Sequence, residues 1–277
     1  MLHLLWVMCL ATTSLSSLAQ TPSPNQQPEP QPVPANRDSG AVTVEAPRQP
    51  LPPPAGASAR DLEKDGDELR SKKAFSDAID YYRAAMKQAD SAQLHNKTGI
   101  AYLQLLQLKA AEKEFNHAIK MDRTYAEAIN NLGVIFYMRK KYDKAIKEYE
   151  RALKLSDSSA SFHSNLGMAY FEKRQFERAS AELMRALQLD PQILERQELG
   201  GIAARMASPE DRARYSYTLA RIYARQGSYD RSLEYLKKAV EEGYAHIKDV
   251  YKDDVFARLR KDPRFAVVMA KTEPLPN

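Results

Sequence analysis

The chain has 277 residues, enough for one or two ordinary domains, with 43% hydrophobic and 28% charged residues. Its formal net charge of +5 and pI of about 9.0 would suit a nucleic-acid partner. The Lys and Arg residues, however, alternate with Asp and Glu, and no basic run is interleaved with aromatic residues as a strand-binding groove would require. We therefore expect no nucleic-acid binding.

The amino terminus resembles a secretory signal peptide over residues 1–19. An apolar run from Leu2 to Ala11 is too short to span a bilayer, and Ser17-Leu18-Ala19 supplies the small-x-small pattern of a cleavage site. This predicts an exported protein, periplasmic or secreted, whose mature chain starts at Gln20 and has no integral membrane span. Because His3 is the only basic residue of the leading segment, an uncleaved anchor on a membrane-tethered or cytoplasmic adaptor remains the alternative.

Residues 20–58 are predicted to be a disordered linker, because they contain 11 of the 16 prolines among Gln, Ser and Ala. We expect this linker to act as a spacer rather than to present PxxP motifs to a binding partner. The single cysteine, Cys9, lies inside the predicted signal peptide, so the mature chain would have no disulfide and no thiolate metal site.

Four glycines then recur at intervals of 33, 34 and 34 residues: Gly66, Gly99, Gly133 and Gly167. Each is followed by an alanine after 12 residues and another after 19, with a bulky residue between them; the alanine pairs are Ala78 and Ala85, Ala111 and Ala118, Ala145 and Ala152, Ala179 and Ala186. A glycine inside a helix costs about 1 kcal/mol relative to alanine. The pattern predicts pairs of amphipathic helices that approach closely at the glycine, with Ala145 as the partner of Gly133.

This pattern resembles the tetratricopeptide repeat family, with its Leu-Gly-x-x-Tyr and Ala-x-x-x-Phe signatures, although no tryptophan stands at the fourth position of any repeat. The resemblance implies an all-α, right-handed α-solenoid of about five helix pairs. The predicted order is four repeats (59–91, 92–125, 126–159, 160–193), an inserted helix or loop (194–212), a fifth repeat (213–246), a helical cap (247–271) and a tail (272–277).

We expect no catalytic residues, no cofactor and no metal. The chain has no glycine-rich phosphate loop, and its five histidines show no HxxxH or HExxH spacing. His95 and His163 hold the fourth position of repeats two and four, which indicates partly buried packing residues.

The family resemblance implies that the first helices line a concave groove. The outward positions of these helices give a predicted peptide-binding set of Asn96, Asn131, Val134, Tyr137, Met138, Asn165, Met168 and Phe171. Asn131 and Asn165 hold the same sixth position in successive repeats, which resembles the asparagine ladders that grip a peptide backbone. Replacing both by alanine is expected to weaken partner binding without changing the melting temperature.

A second predicted contact set is Arg214, Arg221 and Arg225, spaced seven and four apart on one helix face. Such a row could bind an acidic ligand, but a solvated basic face is favoured. The sequence therefore predicts a non-catalytic scaffold or adaptor of the cell envelope that holds a protein or peptide partner. The alternative is a structural spacer or assembly component whose groove is not used.

Overall fold

The computed structural model describes residues 51–195 and 208–270. These ranges contain eleven α-helices with both ends described, a helical stretch at residues 193–195, three short 3-10 turns and no strand. The predicted signal peptide, most of the predicted linker, residues 196–207 of the predicted insertion and the tail lie outside the described residues. The helices are α1 (Ala59–Ser71), α2 (Phe75–Gln88), α3 (Ala92–Gln104), α4 (Leu108–Met121), α5 (Ala126–Met138), α6 (Tyr142–Leu155), α7 (Ala160–Glu172), α8 (Phe176–Leu189), α9 (Pro209–Arg225), α10 (Tyr229–Glu241) and α11 (Pro263–Ala270).

The helices form five packed pairs, α1 with α2 through α9 with α10. In the first four pairs the second helix also packs on the first helix of the next pair, as α2 on α3, and α8 contacts α9 across the segment that is not described. This arrangement confirms the predicted all-α solenoid. The repeated alanines are fully buried where the paired helices meet, since their small side chains allow the close packing.

Every first helix ends in the same turn, in which one residue adopts the left-handed conformation. The residues are Lys73, Leu106, Lys140, Arg174 and Gly227, with φ between 57° and 76°. At Lys140 the backbone N–H bonds the Tyr137 carbonyl, and the next N–H bonds that of Phe136, which gives the helix end its hydrogen-bond partners. In four of the five turns a residue other than glycine adopts this conformation, and the backbone strain costs about 1 kcal/mol at each.

The close approach at each helical glycine differs from the prediction. The atoms nearest to a Cβ added at Gly133 belong to the ring of Tyr149 rather than to Ala145. The same relation joins Gly66 to Tyr82 and Gly99 to Phe115. At Gly167 the nearest atoms belong to Leu183 and to the Ala179 carbonyl. In the first four pairs, therefore, the bulky residue between the two alanines comes nearest to the glycine.

Residues at both ends pack on the repeats. The end of the predicted linker lies along α2, where the Tyr81 hydroxyl donates to the Pro52 carbonyl at 3.3 Å and Gln88 donates to the Ala57 carbonyl at 2.9 Å. After α10, three 3-10 turns (Ile247–Tyr251, Asp254–Phe256, Leu259–Lys261) and α11 bury Phe256, Leu259, Phe265 and Met269 in a core shared with α9 and α10. The cap therefore covers the apolar end of the fifth pair.

Candidate functional site

A cavity of about 420 Å³ opens between α5, α6 and α7. Its lining combines aliphatic and aromatic side chains with a few polar groups: Leu106, Val134, Tyr137, Met138, Lys140, Tyr142, Tyr149, Asn165, Met168 and Glu172. Five of the eight residues predicted to bind a peptide meet here, namely Val134, Tyr137, Met138, Asn165 and Met168. Met168 is only 2% exposed and forms part of the floor.

A line of asparagine side chains connects the first helices of repeats two, three and four, and we call it the amide ladder. Asn165 Nδ2 donates to Asn130 Oδ1 at 3.0 Å, and Asn130 Nδ2 donates to Asn131 Oδ1 at 3.4 Å. Asn131 Nδ2 then donates to Asn96 Oδ1 at 3.0 Å, and Asn96 Nδ2 donates to the Tyr125 hydroxyl at 3.3 Å. The three predicted asparagines thus lie in one line, joined through Asn130.

The amide ladder ends at the cavity, because Asn165 lines its wall. Each amide in the ladder uses one N–H to bind its neighbour and keeps a second N–H. Among the described residues, the Oδ1 of Asn165 accepts no hydrogen bond. The cavity end of the ladder can therefore both donate to and accept from a ligand.

Two tyrosines and a glutamate form the polar side of the cavity. The Tyr137 hydroxyl donates to Glu172 Oε1 at 3.4 Å, and the Tyr137 and Tyr142 rings meet edge to face at 5.5 Å. Burial, with the negative charge of Glu172, raises the pKa of Tyr142 to about 12 and that of Tyr137 well above its ordinary value. Both phenols are therefore neutral hydrogen-bond donors at physiological pH.

Three segments of the chain match protein-family models. One model, described as TPR repeat, matches residues 135–173, and two others, described as tetratricopeptide repeat, match residues 160–193 and 213–242. The chain is a tetratricopeptide repeat protein. The first match runs from the last turn of α5 through α6 and α7, so it contains most of the cavity lining.

Solved tetratricopeptide structures resemble this chain. MamA from Desulfovibrio magneticus RS-1 is 19% identical over 68% of this chain and 96% of its own, with a TM-score of 0.47. The first repeat domain of Spaghetti (RPAP3), bound to the HSP90 peptide SRMEEVD, is 26% identical over 45% and 94%, with a TM-score of 0.39. YrrB, described as having an unusual peptide-binding site, is 18% identical over 70% and 91%, with a TM-score of 0.44. No curated protein sequence matches the chain.

Phe171 does not line the cavity of the tetratricopeptide array. It is 3% exposed and packs edge to face against Phe176 at 5.3 Å and Tyr215 at 5.5 Å. Tyr137 holds the equivalent position one repeat earlier and does line the cavity. The expected contact of Phe171 with a peptide is therefore replaced by a core contact between α7, α8 and α9.

The three arginines of α9 do not form one free row. Arg214 stacks over the Phe176 ring at 4.7 Å, and Arg221 Nε donates to Asp253 Oδ2 at 2.7 Å. Arg225 is exposed and lies apart from these contacts, beside Asp254 and Arg258. The expected acidic-ligand surface is thus reduced, because the charge of Arg221 is already paired with the cap.

Two histidines at equivalent positions each contact a glutamate on the next helix. His95 Nδ1 lies 2.6 Å from Glu114 Oε2, and His163 Nδ1 lies 2.6 Å from Glu182 Oε2. In repeat two, His117 joins the pair, so that one ligand atom each from His95, Glu114 and His117 lies within 4.8 Å of the others. Sequence spacing missed this group because its histidines come from different helices.

The predicted peptide-binding set also missed the other five residues of the cavity lining, which are Leu106, Lys140, Tyr142, Tyr149 and Glu172. Of these residues, Leu106 could have been recognised from the sequence. It is apolar at a turn position where three other repeats have the basic residues Lys73, Lys140 and Arg174. In the part of the chain that is described, no helix combines the length and the hydropathy required to cross a bilayer.

Proposed function

We propose that this protein is a non-catalytic interaction module that binds an extended segment of a protein partner. One large apolar side chain of that segment enters the cavity between α5, α6 and α7, and the segment lies along the amide ladder. The observation that carries the proposal is the cavity itself. Its volume is within the range of about 300–1,000 Å³ that ligand pockets occupy, and it is predominantly apolar with a few polar groups.

Leu106 supports an apolar ligand. This side chain is 64% exposed beside the cavity, and its backbone is in the left-handed conformation, which disfavours a bulky residue. Exposing leucine at such a turn brings no benefit to the folded chain alone. Contact with an apolar side chain of a partner would bury it and recover favourable hydrophobic free energy.

The amide ladder supports an extended ligand. A bound peptide needs partners for the backbone N–H and C=O groups that it removes from water. Asn165 at the cavity wall can supply both a donor and an acceptor, and its bond to Asn130 restrains the amide. Because the ladder continues through Asn131 to Asn96, a segment anchored in the cavity can run toward repeat two.

We further propose that the protein acts in the cell envelope as a scaffold. The apolar run and small-x-small pattern within residues 1–19 support export. Mass spectrometry of the protein purified from its native host tests this directly. A mature chain starting at Gln20 supports export with cleavage, whereas an intact Met1 contradicts it.

Peptide selection tests the binding function. Random peptides displayed on phage are selected on the full chain, and the affinities of synthetic copies are then measured by fluorescence anisotropy. We expect the selected peptides to share one large apolar residue, and Met138→Glu to weaken their binding at least tenfold by placing a charge in the cavity wall.

Leu155→Glu is the matched control, because Leu155 is an exposed apolar residue on α6 outside the cavity lining. This variant should bind the selected peptides as the wild type does. Equal binding by wild type and Met138→Glu would contradict the proposed site, and a selection that enriches no peptide would favour a structural spacer.

A further inference from the structure

We propose that repeat two contains a site for a divalent transition-metal ion, best suited to Zn²⁺. Its ligands are His95 from α3 and Glu114 and His117 from α4. Two imidazoles and a carboxylate form a donor set that zinc commonly accepts, with water completing four-coordination. The ion would join the two helices of this repeat, on helix faces separate from the cavity between α5, α6 and α7.

The three side chains already converge. Glu114 and His117 are three residues apart, so they share a face of α4, and His95 reaches them from α3. One ligand atom from each lies within 4.8 Å of the other two, and the imidazole centroids are 5.1 Å apart. Zinc–ligand bonds of about 2.0–2.2 Å require ligand atoms roughly 3.5 Å apart, so small side-chain rotations would close the site.

His95 is held by carboxylates at both ring nitrogens. Its Nδ1 lies 2.6 Å from Glu114 Oε2, and its Nε2 lies 3.1 Å from Asp90 Oδ1. When Nδ1, which lies beside Glu114, binds the ion, Asp90 remains as the partner of Nε2. Such a carboxylate orients a metal-binding imidazole and increases its basicity. The negative charges of Glu114 and Asp90 would also balance a dication.

Repeat four shows which part of this arrangement is ordinary packing. His163 and Glu182 occupy the same positions as His95 and Glu114 and lie at the same 2.6 Å, so this pair needs no metal to explain it. At the positions of His117 and Asp90, however, repeat four has Arg185 and Ser158. An arginine there would repel a cation. Repeat two thus differs from repeat four by a second imidazole and a second carboxylate, the groups that a metal site needs.

The test measures zinc binding to the full chain without an affinity tag, after chelator treatment, by isothermal titration calorimetry with ZnCl₂. We expect one zinc per chain in the wild type and a loss of that binding in His95→Ala and His117→Ala. Asp90→Asn should weaken binding about ten- to a hundredfold, as expected for a residue that orients a ligand.

His163→Ala is the matched control and should bind zinc as the wild type does. Because His117 is exposed, His117→Ala is expected to keep the fold, and an unchanged circular dichroism spectrum verifies this. A wild type that binds no zinc at millimolar concentration would refute the site. So would zinc binding that survives His117→Ala, or that is lost in His163→Ala.

Discussion

A Cβ atom added at Gly133 would lie 2.6 Å from Cε1 of Tyr149, closer than any real contact allows. The ring of Tyr149 thus lies directly on the backbone of α5. Since Tyr149 also lines the cavity, the glycine that recurs in the first four repeats contributes here to the shape of the candidate site as well as to helix packing.

Gly133→Ala is expected to destabilise the protein. Alanine would improve helix propensity by about 1 kcal/mol, but overpacking against a buried ring costs about 1–3 kcal/mol. We expect a net loss of about 1 kcal/mol in the free energy of unfolding, measured by urea denaturation. In a Tyr149→Ala background, Gly133→Ala should cost less than it does in the wild type, because the ring is no longer in the way. A Gly133→Ala variant more stable than the wild type would contradict the contact.

Asn131→Ala is expected to lower stability, contrary to the expectation from sequence that melting would not change. Asn131 donates to Asn96, which is 5% exposed, so the substitution leaves a buried carbonyl oxygen without this partner. Leaving a buried polar group unpaired costs about 1–3 kcal/mol. Thermal melting measures the loss, and Asn116→Ala on the exposed face of α4 is the control. Equal melting temperatures for both variants would show that the amide ladder contributes no stability.

The ionisation of Tyr142 should depend on Glu172. Burial and the charge of Glu172 raise the pKa of this phenol to about 12, above its unfolded value near 10. The raised pKa contributes stability that is fully present below pH 10 and is lost as the pH rises through 12. In a ¹³C-tyrosine NMR titration, Glu172→Gln should lower the pKa of Tyr142 toward 10, with Tyr142→Phe assigning the signal. An unchanged pKa in Glu172→Gln would contradict the role of the glutamate.

Asp253→Asn should loosen the cap from the fifth repeat. Asp253 accepts from Arg221 Nε at 2.7 Å, and both side chains are largely shielded from water. A hydrogen bond between charged groups contributes about 1.5–3 kcal/mol, so urea denaturation should show a loss of about 1–2 kcal/mol. Asp254→Asn, an exposed neighbour, is the control. Equal stability of the two variants would show that the ion pair does not hold the cap.

The periodicity of the sequence was sufficient to predict the first four repeats, because a spacing of about 34 residues places the same helix faces in contact in each of these pairs. It could not predict which atom meets Gly133, since that depends on how deeply the Tyr149 ring enters between the helices. The asparagines were predicted to lie in line, but their mutual hydrogen bonds depend on the offset between neighbouring first helices.

Tyr137 and Phe171 show where periodicity fails for the site. They hold equivalent positions, yet Tyr137 lines the cavity and Phe171 is covered by Tyr215 of α9. The next helix after repeat four with both ends described, α9, is out of phase with the period, so its packing on α7 and α8 cannot be deduced from the repeat pattern. His95 and His117 were overlooked for a related reason, because helix packing and not sequence spacing brings them together.

Methionine methyl groups provide the most direct test of the cavity as the binding site. The full chain is labelled with ¹³C-methyl methionine and titrated with a selected peptide while NMR spectra are recorded. Met138 and Met168 line the cavity, whereas Met121 is exposed on α4 outside it. We predict that the signals of Met138 and Met168 shift together in a saturable way and that Met121 does not change. Saturable binding that leaves both cavity methionines unperturbed would contradict the account.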